Sequence, residues 1–200
     1  MGSPEFLLLS RSPRRRELLT RAGYDFQVID NPWTEREIPG ESPRARVQRL
    51  SLEKLRHYLE AHPRPSLPVL SADTLIDFQG RPLEKPQTAQ EAWKWYRLLA
   101  GRTHRVLTAL TLWNPRLENW RQEVETTKIC FIPWDENYWA KYLATNEWED
   151  AAGGYKIQEG GERLVERIQG SWSNVVGLPL ARFYGMLRQC RSLPRSSRGG

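Results

Sequence analysis

Two cysteines and three histidines are all the thiol and imidazole ligands that 200 residues supply. Cys130 and Cys190 share no zinc-type spacing with each other or with His57, His62 and His104, so a structural zinc site and a disulfide framework are both excluded. Thiol usage this sparse suits a reducing compartment. No apolar run approaches the roughly 20 residues a membrane-spanning helix needs, and no signal peptide is visible. A cytoplasmic protein with no membrane partner is the expectation. The Walker A sequence, the G-x-G-x-x-G fingerprint and the G-x-S-x-G elbow are also missing. Their absence excludes P-loop triphosphate handling and elbow-type serine hydrolase chemistry. The histidines share no triad-like pattern and receive no role.

What is present is basic charge and aromatic mass. Lys+Arg number 30 against 24 Asp+Glu, a formal net charge of +6 with a pI of about 9.5. That balance favours anionic partners, whether nucleotides, nucleic acid or acidic surfaces. Hydrophobic residues make up 39% and charged residues 27%, a composition that supports a packed core. Of nine tryptophans, Trp93, Trp95, Trp139 and Trp148 fall in or beside helical patterns, as core and cleft walls. "MGSPEF" reads like a cloning scar and "SLPRSSRGG" lacks apolar periodicity. Residues 1–5 and 191–200 are therefore expected to be a cloning scar and a disordered tail, with a single domain over 6–190.

The periodicity predicts strands at Phe6–Leu9, Tyr24–Ile29, Leu67–Ile76 and Leu164–Ile168, and a long antiparallel hairpin from 105–113 and 124–132. Helices are predicted from Pro13 to about Ala22, over 44–59, 89–100 and 135–144, and from about Pro179 to Gln189. A short return strand follows Phe78, and "AAGGYKIQEGG" reads as a glycine-rich loop. The sum is an α/β fold with a curved mixed central sheet flanked by helices, in two lobes with a cleft.

Four features bear on chemistry. "SRSPRRREL" puts Ser12 at a helix N-cap, Pro13 at its first position and Arg14 and Arg15 in its first turn. Cations there oppose the helix dipole at roughly a few tenths of a kcal/mol each, unless an anion sits among them. The stretch is either a phosphate site or an exposed basic face. Asp73 interrupts a buried apolar strand, where a carboxylate needs a metal, a cation or a proton; capping a turn or pairing with a lysine would also serve. Lys54, Lys85, Glu35 and Glu41 read as surface residues when taken singly, although the two acids also suit Mg²⁺. In "AAGGYKIQ", Gln158 offers a donor and an acceptor to a base edge, or the segment is simply a turn into a strand.

Six segments in order, "SRSPRRREL", "GESPRARVQRLSLEKL", "SADTLIDFQGRPLEKP", "EAWKWYRLLAGRTHRVLTAL", "AAGGYKIQ" and "IQGSWSNVVGLPL", make the chain resemble the Maf family of nucleotide pyrophosphatases. That family is related to the inosine triphosphate pyrophosphatase fold, and the resemblance runs from about Phe6 to Leu187. It implies hydrolysis of a nucleoside triphosphate to monophosphate and pyrophosphate with Mg²⁺ or Mn²⁺. The phosphate contacts it implies are Ser10, Ser12, Arg14 and Arg15. Asp73 falls on the family's proton acceptor and is also a metal ligand candidate; Lys54 and Lys85 fall on its catalytic lysines, and Glu35 on its acidic loop residue. The positions that separate the dTTP/UTP branch from the 7-methyl-GTP branch fall on Arg15, Thr74 and Gln158, all of the dTTP/UTP type, with modified pyrimidine nucleotides as further substrates to consider.

Two departures stand out. Ala151 replaces a lysine common in the family, and Thr34-Glu35 replaces a common acid pair. The rival readings are a regulatory protein linked to septum formation and a basic nucleic-acid-binding module. The aromatic residues follow core periodicities rather than a stacking platform, so no specific nucleic acid is expected. A homodimer is allowed for.

Overall fold

The computed structural model describes residues 3–192. Met1, Gly2 and residues 193–200, parts of the expected cloning scar and tail, lie outside the described residues.

Seven strands form one mixed sheet. β1 (Phe6–Leu9) is four apolar residues in a row, all buried, as a strand covered on both faces requires. It leads into α1 (Pro13–Arg21) and returns as β2 (Phe26–Val28), parallel to β1 at the sheet edge and shorter than the periodicity predicts. α2 (Pro43–Ala61) precedes the central strand β3 (Val69–Phe78) and its short antiparallel partner β4 (Arg81–Leu83). α3 (Ala89–Leu99) leads to the hairpin of β5 (Thr103–Asn114) and β6 (Asn119–Phe131), paired along its whole length. After α4 (Glu136–Leu143), the expected glycine-rich loop carries two single-turn helices, Ala152–Gly154 and Gly160–Leu164, before β7 (Val165–Gln169). α5 (Trp172–Val176) and α6 (Leu180–Ser192) complete the described chain. The strand order is β2-β1-β3-β5-β6-β7, with β4 off β3.

Alternation along the strands sorts side chains onto two faces. Leu7, Leu9 and Val69 pack with Leu55 and Tyr58 of α2, while Leu8, Leu70 and Leu110 join the larger core with Tyr96, Trp139, Tyr142 and Phe183. Of the tryptophans assigned to core and walls, Trp139 and Trp148 are buried and Trp93 and Trp95 pack against the core half-buried.

One topological detail opens the sheet near its centre. β1 leaves β3 after pairing Leu9 with Ser71, and β4 joins only at Ile76. On that edge, β3 is bare between Ser71 and Ile76. Asp73 and Thr74 fall in this gap, and they are the two half-buried residues of a strand otherwise buried from end to end. A place where neighbouring strands part company is where open α/β sheets bind ligands.

Candidate active site

The gap opens into a cavity of about 570 Å³. Nine of the ten residues predicted from sequence line it: Ser10, Ser12, Arg14, Arg15, Lys54, Asp73, Thr74, Lys85 and Gln158, while Glu35 does not.

α1 supplies one wall. Ser12 holds the extended N-cap geometry, yet its hydroxyl makes no capping bond, contrary to the sequence expectation. The N–H groups of Arg14 and Arg15 face the cavity end of the helix with no capping side chain, and Arg16 N–H reaches Ser12 O at 3.4 Å only. A hydroxyl that leaves the helix uncapped beside free N–H groups is free to join them around an anion.

Arg15 is not a loose cation. Its Nε donates to Gly177 O at 2.8 Å, Nη1 to Ser10 Oγ at 3.1 Å and Nη2 to Thr74 Oγ1 at 3.0 Å. Burial lowers its pKa, Asp73 raises it and Arg14 lowers it again. Its planar fork thus ties together the end of β1, the gap in β3 and the turn after α5. Arg14 is less committed, donating through Nη2 to Asp150 O at 3.0 Å.

On the other face of β3, Lys54 meets Asp73. Two serines explain the register. Ser71 Oγ donates to Ser51 O at 2.6 Å, and Ser51 Oγ shares a 2.7 Å bond with Thr111 Oγ1, so α2 is pinned to β3 and β5. Lys54 lies one turn beyond Ser51 and Asp73 two residues beyond Ser71, which brings Lys54 Nζ onto Asp73 Oδ1. Asn31 Nδ2 donates to Lys54 O at 2.9 Å, and the Trp33 ring lies 5.6 Å from Nζ. Among the described residues nothing engages Asp73 Oδ2, which is left to act on what enters the cavity.

The segment 150–158 forms the opposite wall. Asp150, at φ 57, faces Lys85 Nζ at 3.8 Å. Gly153 passes over β3 so closely that a Cβ would stand 2.5 Å from Ile76 Cδ1, and its φ of +67 is a glycine conformation. Gln158 Nε2 donates to Glu159 Oε1 at 3.2 Å. Ala151, the departure noted in the sequence, is buried in this wall. Tyr155 anchors the wall through a 2.8 Å bond between its hydroxyl and His104 Nε2.

His104, assigned no role from sequence, is 1% exposed, and burial pushes its pKa down to about 3. The unfolded chain takes up this proton near pH 6.5 and the folded protein does not, so stability is lost as pH falls through that window. Urea unfolding at pH 7 and pH 5 should show the parent losing about 2 kcal/mol more than His104→Phe between those values. Equal losses in both proteins would show that His104 is not held neutral.

Glu35 belongs elsewhere. Arg46 Nε donates to Glu35 Oε1 at 3.0 Å, and Arg46 also pairs with Glu84. Glu41 is held by Arg49, whose hydrogen bonds keep its carboxyl below the usual carboxylate range. The loop acids are thus neutralised by arginines of α2. Among the described residues, no three His, Cys, Asp or Glu side chains gather to hold a metal. Asp73 Oδ2 nevertheless fits a divalent ion in the manner of Mg²⁺, which takes one or two carboxylates and completes its shell with phosphate oxygens and water.

Sequence reasoning missed the turn after α5. Asn174 is fully buried, its Nδ2 donating to Val106 O at 3.0 Å and Thr127 Oγ1 at 2.9 Å. It fixes the turn that offers Gly177 O to Arg15. The available signal was a polar residue inside the apolar run "WSNVVGL", since a buried amide demands partners.

The description "Maf-like protein" belongs to the family model that matches residues 5–190. A dTTP/UTP pyrophosphatase of Lacticaseibacillus casei is 40% identical over 183 residues, covering 90% of this chain and 96% of that protein. Another, from Koribacter versatilis, is 38% identical over 183 residues, covering 92% and 93%. The solved Ham1 protein of Staphylococcus aureus gives a TM-score of 0.44 at 12% identity, over 63% of this chain and 71% of that one, too distant to support an argument.

Proposed function

The chain belongs to the Maf-like protein family, and from that premise we propose that it hydrolyses dTTP and UTP to the monophosphate and pyrophosphate. The observation that carries the reading is one cavity that joins the uncapped start of α1 and the Arg14 guanidinium to the open oxygen of Asp73. A triphosphate brings about four negative charges, and such a cavity meets them with fixed donors and cations rather than with water.

In this reading the N–H groups of α1, the Ser12 hydroxyl, Arg14 and Lys85 bind the phosphates. Lys54 fixes the Asp73 carboxylate through Oδ1, and Oδ2 accepts the proton of the water that attacks the α-phosphorus. Pyrophosphate leaves toward Arg14 and Lys85, where its charge is met. Asp73 would also hold Mg²⁺ or Mn²⁺ together with phosphate oxygens, since an ionised carboxylate has lone pairs for both tasks. When bound, such an ion supplies further neutralisation of the phosphate charge. Arg15 acts by holding Ser10, Thr74 and the Gly177 turn in place, and Gln158 pairs its amide with the N3–H and a carbonyl of thymine or uracil. The same reading entails a cytoplasmic protein, where these nucleotides are found.

A pyrophosphate-release screen over canonical, 7-methylated and 5-substituted nucleoside triphosphates, with Mg²⁺ and with Mn²⁺, tests the assignment. The kcat/KM for dTTP and UTP should exceed that for CTP and 7-methyl-GTP by about tenfold or more. A preference for 7-methyl-GTP, or no release from any nucleotide, would overturn it.

A further inference from the structure

The wall that carries Gln158 also holds a cation left unused by the contacts above. Lys156 lines the cavity beside Arg14 and Gln158, with its side chain 20% exposed. Its main chain is held by two hydrogen bonds and packs closely against Gly161. Lys156 N–H donates to Tyr142 Oη at 3.0 Å, Glu159 N–H donates to Lys156 O at 3.2 Å, and a Cβ on Gly161 would stand 2.6 Å from Lys156 O. That last contact admits only glycine at 161 without a backbone shift. Holding a main chain this firmly aims the side chain it carries.

The ammonium at the end of that side chain is underused. It has three donors, and its one ion-pair partner among the described residues is Glu159 Oε2 at 3.9 Å, beyond hydrogen-bond reach. A part-buried ammonium with no acceptor in hydrogen-bond reach gains a partner when an anion arrives. Glu159, exposed on this segment, is the negative charge nearest that ammonium. It accepts from Gln158 Nε2, faces Lys156, and its charge acts on Arg14 as well. Three groups on the cavity wall thus share one exposed carboxylate.

We propose that Lys156 is a substrate-binding residue that takes a phosphate oxygen of the nucleoside triphosphate, and that Glu159 opposes this binding through its charge. The inference rests on the triphosphate reading given above. It makes opposite predictions for the two side chains: removing the ammonium weakens substrate binding, while removing the carboxylate's charge strengthens it. A role in packing alone has no such sign change.

The test compares the parent with Lys156→Gln, Lys156→Arg and Glu159→Gln. The non-hydrolysable probe α,β-methylene-dTTP is titrated calorimetrically with Mg²⁺ present, and dTTP hydrolysis is followed in parallel. Lys156→Gln should raise both the probe's Kd and the KM for dTTP by about tenfold, with the melting temperature within about 2 °C of the parent. Lys156→Arg should recover binding to within about threefold, and Glu159→Gln should tighten it by about threefold. Unchanged probe affinity in Lys156→Gln, or weakened binding in Glu159→Gln, would overturn the role of Lys156. A parent that binds the probe but releases no pyrophosphate from dTTP would instead sink the proposed activity. A parent that binds no probe would sink both.

Discussion

Asp73→Asn is expected to lower pyrophosphate release from dTTP and UTP by about 10³-fold while leaving the fold intact. The two side chains have nearly the same shape, but the amide can neither accept the water's proton nor carry the charge that a divalent ion requires. The structural cost is small. Asp73 lies in the bare stretch of β3, and Lys54, 23% exposed, keeps the Trp33 ring beside it when its carboxylate is gone. The pair is part-buried, with Asp73 13% exposed, but the amide oxygen still accepts from the lysine, which holds the loss to about 1 kcal/mol. Rates measured alongside melting temperature and circular dichroism check the prediction. Near-normal turnover would remove Asp73 from the chemistry, and a large loss of stability would make it a structural residue.

Arg15→Lys should give the second large effect, about 10²-fold lower kcat/KM together with a stability loss of roughly 1–3 kcal/mol. A lysine keeps the charge but presents its donors from one point. It cannot reach Gly177 O, Ser10 Oγ and Thr74 Oγ1 together, contacts that Arg15 makes with three different nitrogens. The acceptors left behind lose partners in a part-buried place, and the 3.3 Å bond from Thr74 Oγ1 to Gly177 O is left to tie the turn after α5 to β3. Denaturant unfolding and steady-state kinetics on the same variant separate the two consequences. Full activity with reduced stability would confine Arg15 to holding the fold.

Much of this was legible in the chain. The run "LPVLSADTLID" announced a buried strand with a carboxylate in it, and β3 is that strand with Asp73 at its bare edge. Ser-x-Ser-Pro announced a helix start, and α1 begins at Pro13 with Arg14 and Arg15 lining the cavity. The β5–β6 hairpin followed from its alternation, though pairing across the sheet extends β6 back to Asn119, beyond where the apolar pattern begins. α5 escaped because five residues are too few to show a helical period. The division of labour among the charges escaped for a different reason. Whether Glu35 faces a metal or Arg46, and whether Arg15 faces solvent or Gly177, is decided by elements far apart in sequence. Local patterns carry no trace of such pairings. A lysine on a charge-rich helix looked solvated, and only the Ser51–Ser71 contact between α2 and β3 turns Lys54 onto Asp73.

The most direct test of the central claim is the identity of the products from a single incubation of dTTP, resolved by ³¹P NMR. The account predicts dTMP and pyrophosphate in equal amounts, with no dTDP at any time, because the proposed attack falls on the α-phosphorus. Accumulation of dTDP and inorganic phosphate would contradict it.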